Sequence, residues 1–443
     1  MFEEFRKFET TLAGRPLVIE TGKMAQLASG SCLVRYGETE VLCTATMADK
    51  PREGIDFFPL SVDYEEKLYA VGKIPGSFQR REGRASEKAT LASRLIDRPI
   101  RPLFPKDMRN DVGIIATVMS VDPDCSPEIT AMIGVSVALS ISEIPWDGPI
   151  AGVAVGLVDG EIVINPTEAQ REVSDLTLTV ASTDSLVAMI EAAANEVPED
   201  VMLKAIMKAH EVNQELVEFI KGIQKEIGKP KVDFPSNDPP AEMFETIKEF
   251  AIDDIKFALD TNDKRIREER LKPVYEKVHE KFDELYPEET VKIDDCLYLL
   301  QKYVVRRWLL DEGKRVDGRG MDEIRPLAAE IDVLSRVHGS ALFTRGQTQV
   351  LTVTTLGTAS DAQNLDGLDN EEIKRYMHHY NFPSFSVGET KPPRGPGRRE
   401  IGHGALAEKA LLPVIPPVEE FPYTIRLVSE VLSSNGSTSQ GAI

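Results

Sequence analysis

Apolar positions in this chain recur at two periods. Residues 30–47, GSCLVRYGETEVLCTATM, alternate on either side of Gly37, the pattern of a β-hairpin. Residues 339–356, GSALFTRGQTQVLTVTTL, repeat that pattern about Gly346, with eight of 18 positions identical. The parts that follow keep the same order in both places. Phe58-Pro59-x-Ser61-Val62 is echoed by Phe382-Pro383-x-x-Ser386-Val387. An arginine-rich loop follows at 80–84 and at 395–400, then a helix-like apolar segment at 89–96 and at 405–412, then a strand at 112–121 and at 423–432. A shared order of parts over this length is the mark of a duplicated unit rather than a short-period solenoid. The first copy continues with an apolar helix at 134–142, strands at 150–158, 161–165 and 176–181, and an expected helix beginning at 183.

Between the copies the period changes to three and four. Phe244, Ile247, Ala251, Ile255 and Ala258 form one stripe, and Val274, Val278, Phe282 and Leu285 another. Pro239-Pro240 and Pro287 punctuate the helices. The expected class is therefore α+β: two copies of one β-α-β core with an all-helical unit between them. The expected divisions are 1–225, a Gly/Pro/Asp-rich linker at 226–240, helices at 241–312, and a second core at 313–443. Ile443 aligns by hand with Ile133, inside the first core, so the second copy is expected to be cut short within its domain.

The 443 residues include 52 Lys and Arg against 73 Asp and Glu, a net charge of −21. Overall charge thus disfavours a polyanionic partner, but its distribution reverses that locally. Residues 80–109 hold nine bases and four acids, and residues 391–399 hold Lys391, Arg394, Arg398 and Arg399 with no acid. An acidic body with two arginine-rich patches can still hold a phosphate chain, because screening makes local charge decisive. No apolar run is long enough to span a membrane, and the N-terminus has no signal-peptide core. Cys32, Cys43, Cys125 and Cys296 are widely spaced, which points to free thiols in a reducing compartment, the cytoplasm.

Nucleotide-binding glycine loops, HExxH, EF-hand and GxSxG patterns are absent. Two features in the second copy suit an anion. Gly395-Pro396-Gly397-Arg398-Arg399 reads as a tight turn presenting two guanidiniums, whose planar forks fit phosphate. Ser434-Asn435-Gly436-Ser437-Thr438-Ser439 follows a strand and offers hydroxyls and backbone N–H groups. In the first copy Glu128 and Ile129 are read as standing where Thr438 and Ser439 stand, and a carboxylate would spoil such a site.

The chain resembles the polynucleotide phosphorylase family, in which two RNase PH-type domains flank a helical domain. The resemblance rests on FFPLSVDYEEKLYAVGKIPGSFQRREGR (57–84), ASRLIDRPIRPLFP (92–105), RVDGRGMDEIRPL (315–327), HGSALFTRGQTQ (338–349), HHYNFPSFSVGET (378–390), GRREIGHGAL (397–406) and RLVSEVLSSNGSTS (426–439). It implies phosphorolysis: inorganic phosphate attacks the 3′-terminal phosphodiester of RNA and releases a nucleoside 5′-diphosphate, reversibly as RNA polymerisation.

Carried over residue by residue, the resemblance makes Ser437, Thr438 and Ser439 phosphate-binding, with threonine in place of one family serine. It makes Arg398 and Arg399 the catalytic arginine pair, with Thr438 and Ser439 beside them, and places His403 near the RNA end. Phe78, Arg80 and Arg81 match a loop that grips single-stranded RNA, although Gln79 stands where a second aromatic is common. Arg84, Arg94, Arg98 and Arg101 read as structural ion-pair partners. The resemblance also implies Mg2+ or Mn2+, held by aspartates expected beyond Ile443, so this stretch alone is expected to be inactive. It further implies a homotrimer and partners in an RNA-degradation complex. The alternatives are a non-catalytic RNA-binding subunit of an exosome-like ring and, less compatible with the loop at 77–81, a small-molecule phosphorylase.

Overall fold

The computed structural model describes residues 3–287, 289–369 and 373–443. The first copy opens with β1 (Arg6–Leu12), β2 (Arg15–Thr21), β3 (Gly30–Tyr36), β4 (Thr39–Pro51) and β5 (Leu60–Glu65). It continues through α1 (Glu87–Ile100), β6 (Asn110–Ser120) and α2 (Pro127–Ile141). Then come β7 (Ala151–Val158), β8 (Glu161–Ile164), α3 (Glu168–Glu172), β9 (Leu176–Ser182), β10 (Val187–Ala194) and α4 (Glu199–Ile227). The sheet order is β1-β2-β3-β4-β6-β5, antiparallel except where β5 runs parallel to β6. A second sheet runs β10-β9-β7-β8.

The helix α2 packs against β3 and β4 of one sheet, β7 of the other, and α4. It is therefore apolar on every side, and each residue from Ile129 to Ile141 is buried. Ser126 caps its start, accepting from the Ile129 N–H. Its last carbonyls meet the segment 228–240, which has neither helix nor strand. The Lys231 ammonium donates to the carbonyls of Leu139 (2.8 Å), Ser140 (3.3 Å) and Ser142 (2.8 Å). Burial pushes this lysine down to about 8.

The helix expected from residue 183 is a strand over Val187–Ala194, and α4 starts only at Glu199. The alanine-rich run favours a helix locally, but it pairs antiparallel with β9, where Met189 is buried. Tertiary pairing overrides a propensity difference of well under ~1 kcal/mol per residue.

The helical unit consists of α5 (Ala241–Leu259), α6 (Lys264–Phe282) and α7 (Thr290–Asp311) around its own core, from Met243 and Ile247 to Val304 and Trp308. Leu285 lies past the end of α6 and is exposed, so the stripe stops at Phe282.

The second copy has β11 (Leu327–Ile331), β12 (Gly339–Arg345), β13 (Thr348–Gly357), the short hairpin β14 (Gln363–Asn364) and β15 (Ile373–Lys374), β16 (Tyr376–Asn381), α8 (Arg398–Leu411), β17 (Thr424–Ser433) and α9 (Thr438–Gly441). Its sheet order, β11-β12-β13-β17-β16, repeats the first copy, with β16 parallel to β17. Both hairpins turn at a left-handed glycine, Gly37 and Gly346.

Register corrects the Phe-Pro echo. Val62 lies opposite Ile114 and His378 opposite Leu427, so β16 corresponds to β5 and Tyr380 to Tyr64. Phe58-Pro59 precedes its strand, whereas Phe382-Pro383 follows its own. The true counterpart of Ser384–Val387 is the 3-10 turn Leu68–Val71, each ended by a left-handed glycine, Gly388 and Gly72. Phe-Pro marks opposite strand ends in the two copies, because proline is compatible with either end.

Candidate functional site

The site forms where β16, the start of α8 and the loop after β17 meet. Tyr380 is buried on β16, and its Oη shares a 2.6 Å hydrogen bond with Oγ1 of Thr438. Left-handed Gly436 and Ser437 bend the chain from β17 into α9 and bring Thr438 to that place. The bend is held from outside by Arg325, donating to the Asn435 carbonyl (2.7 Å), and Arg345, donating to that of Gly436 (3.1 Å).

Arg398 and Arg399 are the first two residues of α8 rather than members of a turn. The Glu400 carboxylate explains this, accepting from the Gly397 N–H and the Phe382 N–H (2.8 Å each). One acid thereby caps α8 and ties it to the end of β16. The two arginines then diverge. Arg398 donates to the Val62 carbonyl and the Asp63 carboxylate on β5, joining the copies. Arg399 has no hydrogen-bond or ion-pair partner among the described residues. Its positive charge opposes the upward push of burial on the Tyr380 phenol. His403, one turn along α8, stacks edge-on against Tyr380 at 5.0 Å. Burial first, then the cations of Arg399 and Arg94, push His403 below its ordinary value, so it is neutral near pH 7. Its Nδ1 is buried with no hydrogen-bond partner among the described residues.

The structure thus brings Arg399, His403, Tyr380 and Thr438 together, with Ser437 and Ser439 on either side of Thr438. A fixed cation, hydroxyl groups and a neutral imidazole with an unfilled valence can receive a phosphate group. No group of three or more His, Cys, Asp and Glu side chains among the described residues could hold a metal ion.

The first copy holds the same place differently. Asp122 and Asn435 are equivalent, each donating its N–H to a hairpin threonine, Thr39 or Thr348. Helix α2 begins at Pro127 and α9 at Thr438, so the first loop is two residues longer. Glu128 therefore matches Ser439 and Pro127 matches Thr438, one place off the sequence alignment. Proline has no hydroxyl to offer, and the Oη of Tyr64 is buried with no hydrogen-bond partner among the described residues. The Glu128 carboxylate meets Ser126 Oγ at 2.8 Å and Lys88 at 3.4 Å. A carboxylate and its own countercharge fill the place an anion would take.

Phe78 is wholly exposed at the tip of the loop at 77–81, and Arg80 and Arg81 are exposed beside it. Left-handed Arg80 closes this turn, its N–H donating to the Ser77 carbonyl at 2.9 Å. Ser77 and Arg81 line a cavity of about 360 Å³ together with Asp63 and Tyr64. Asp63 is the partner of Arg398, so the loop of one copy and the arginines of the other adjoin the same strand. Among the arginines read as structural, Arg98 pairs with Glu191 (2.9 Å) and Arg101 with Asp97 (2.9 Å). Arg94 packs over Gly402 of α8, and Arg84 lines the same cavity as Arg81.

Sequence reading missed Tyr380, Asp63 and Glu400. Tyr64 and Tyr380 occupy one register position in the two copies, a signal that the misplaced Phe-Pro alignment hid. His378 and His379 face opposite ways on β16. His378 is buried between Tyr376 Oη (3.2 Å) and Ser429 Oγ (2.8 Å), and burial, then His379, push it down to about 4. A depressed histidine supports the fold fully above its unfolded value of 6.5 and progressively less as pH falls toward 4. The stability advantage of the wild type over His378→Gln should therefore shrink by about 3 kcal/mol between pH 7 and pH 4. Urea melts at both pH values check this; an unchanged difference refutes it.

Fold and site together define a duplicated β-α-β protein whose second copy gathers a cation, hydroxyls and an imidazole where the first copy holds a carboxylate beside a lysine. Comparison with known families gives that class its name. The model described as "3' exoribonuclease family, domain 1" matches residues 13–145 and again 323–443. "3' exoribonuclease family, domain 2" matches 148–212, and "Polyribonucleotide nucleotidyltransferase, RNA binding domain" matches 242–320. The chain belongs to the 3′ exoribonuclease family. It is 61% identical over 439 residues to the polyribonucleotide nucleotidyltransferase of Ruminiclostridium cellulolyticum, covering 99% of this chain and 62% of that protein. The protein of that name from Lachnoclostridium phytofermentans is 61% identical over 441 residues, and that from Caldicellulosiruptor bescii 59% over 440; each match covers 99% of this chain and 63% of the relative. The chain thus spans a little under two thirds of the length of these relatives.

Proposed function

We propose that this chain is the RNase PH-type part of a phosphorolytic 3′→5′ exoribonuclease, converting RNA and inorganic phosphate to shortened RNA and nucleoside 5′-diphosphates. The observation that carries this reading is the cluster of Tyr380, Thr438, Arg399 and His403 in the second copy, set against its filled counterpart in the first. Arg399 and the hydroxyls of Ser437, Thr438 and Ser439 hold the attacking phosphate. His403 takes a position beside the terminal RNA phosphate, its neutral ring offering a hydrogen bond. Arg398 carries less of the phosphate charge than its neighbour, because Asp63 already engages it. Phe78, Arg80 and Arg81 grip the single strand by stacking and charge, a sequence-tolerant combination. The helical unit at 242–320 contributes to the RNA path, in keeping with the name of the family it matches.

The resemblance to the polynucleotide phosphorylase family implies a divalent ion, Mg2+ or Mn2+, which would neutralise charge on the transferring phosphoryl group. The described residues do not fit that ion, so no step here runs through it, and its ligands are sought outside this stretch. The reading includes a homotrimer, a place in an RNA-degradation complex and the cytoplasm. Among the described residues no helix is long and apolar enough to cross a membrane. The four-part division at 225, 240 and 312 belongs to the same proposal.

The test is product analysis of the whole protein acting on end-labelled oligo(A) with inorganic phosphate. Nucleoside diphosphates that appear only with phosphate support phosphorolysis. Nucleoside monophosphates, or binding without turnover, overturn it, the latter in favour of a non-catalytic ring subunit.

A further inference from the structure

The hairpin β14–β15 belongs to the second copy, but its tip works against the first. Leu368 is buried within the first copy's core cluster rather than the second's. Asp366 Oδ2 accepts a hydrogen bond from the Gly76 N–H at 2.7 Å, across 290 residues of sequence. A Cβ on Gly76 would stand 3.2 Å from that oxygen, so the two segments are in direct contact there. The Asp369 carboxylate pairs with Lys88 at the start of α1, and its carbonyl accepts from Lys73 at 3.4 Å. Lys374, at the foot of the hairpin, bridges Glu87 (3.2 Å) and Glu408 (2.8 Å), one on each copy's helix.

These contacts bracket one feature. Lys73 and Gly76 lead into the loop carrying Phe78, Arg80 and Arg81; Glu87 and Lys88 follow it. The loop's internal bonds are local: Ser77 Oγ donates to the Arg81 carbonyl (3.0 Å) and accepts from the Arg81 N–H (3.4 Å), the Arg80 N–H donates to the Ser77 carbonyl (2.9 Å), and the Arg80 guanidinium donates to the Pro75 carbonyl (3.3 Å). Glu82 holds the far side by accepting from the Leu68 N–H at 3.0 Å. Asp366 is the anchor on the near side, and it lines the same cavity as Ser77, Arg81 and Arg84.

We propose that the tip at 365–369 is a positioning latch: the second copy, through Asp366 and Leu368, sets the place and rigidity of the first copy's RNA-gripping loop. Leu368 seats the tip in a foreign core and Asp366 transmits that seating to the backbone entering the grip. The phosphate site and the grip then lie a fixed distance apart, because both are tied to the second copy. This inference rests on the RNA-gripping role proposed above for 78–81. Asp366 touches neither RNA nor phosphate, so its part is to orient, and losing it costs affinity through greater disorder in the loop.

The experiment uses the complete protein as wild type, Asp366→Ala, Asp366→Asn and Phe78→Ala. The first readout is tryptic cleavage after Arg80 and Arg81; the second is affinity for a fluorescent oligo(A) by anisotropy. Asp366→Ala should be cut at those bonds at least about fivefold faster and bind RNA about fivefold more weakly, the scale of one charge-assisted hydrogen bond partly compensated by water. Asp366→Asn keeps an acceptor oxygen and should restore both most of the way. Leu368→Ala should loosen the same bonds without touching Asp366, an independent check on the seating. Wild-type rates of cleavage and binding in Asp366→Ala overturn the latch. If Phe78→Ala binds oligo(A) as well as wild type, the RNA reading of the loop fails instead, and the proteolysis still decides whether the latch exists.

Discussion

Arg399→Ala should lower phosphate-dependent release of nucleoside diphosphates by about a hundredfold or more in the whole protein, with the fold intact. Removal of one preorganised donor from a site of developing charge typically costs that much. Among the described residues no acid holds this guanidinium, so its charge is available to a ligand. Its influence on neighbours is already visible, in the depressed imidazole of His403 and the opposing pull on the Tyr380 phenol. The substitution should therefore also let the His403 value rise toward its ordinary one, which NMR titration reads without any turnover. Arg398→Ala should differ in kind, because it removes the bond to the Val62 carbonyl and the Asp63 pair. That variant should lose thermal stability as well as activity. Arg399→Ala activity within tenfold of wild type, together with an unmoved His403, would remove this arginine from the site.

Gly30→Ala should destabilise the chain by about 3 kcal/mol, while Gly339→Ala at the matching repeat position should change stability by less than about 1 kcal/mol. Both glycines open the same hairpin and are identical in the repeat. A Cβ at Gly30 would stand 2.1 Å from the Ala138 carbonyl oxygen and 3.0 Å from Ser142 Cβ, both at the end of the buried helix α2. The carbonyl is backbone and cannot rotate aside, so strand and helix would have to separate. A Cβ at Gly339 meets only the Thr354 side chain, at 3.4 Å, which is ordinary contact. Thermal melts of the two variants of this chain decide the matter. Equal losses would mean that the helix contact at Gly30 is not what the glycine serves.

Much of the fold could be read from the residues. The two hairpins, the helical stripes at 244–258 and 274–282, and the Arg398-Arg399 and Ser437-Thr438-Ser439 patches all lie within short windows, where periodicity and turn chemistry act. What could not be read depends on partners far along the chain. Residues 187–194 carry an alanine-rich pattern that a helix would accept, and only the neighbouring strand β9 draws them into a sheet. The Phe-Pro echo looked sound because its residues match, yet strand pairing sets equivalence, and Tyr380 therefore went unseen.

By itself, then, the sequence determined that the core is duplicated, that a helical unit separates the copies, and that the second copy carries a hydroxyl-rich loop and an arginine pair. These are statements about residue type and local spacing. The tertiary structure alone decided which of two adjacent arginines is tied to Asp63 and which has no such partner among the described residues. It alone placed Tyr380 against Thr438 and left the Tyr64 hydroxyl without a hydrogen-bond partner among the described residues, and it set Asp366 against Gly76. Each of these is a contact of a few ångströms between residues tens to hundreds of positions apart. Hydrogen bonds and ion pairs act at that range in space whatever the separation along the chain, so only the folded form could assign them.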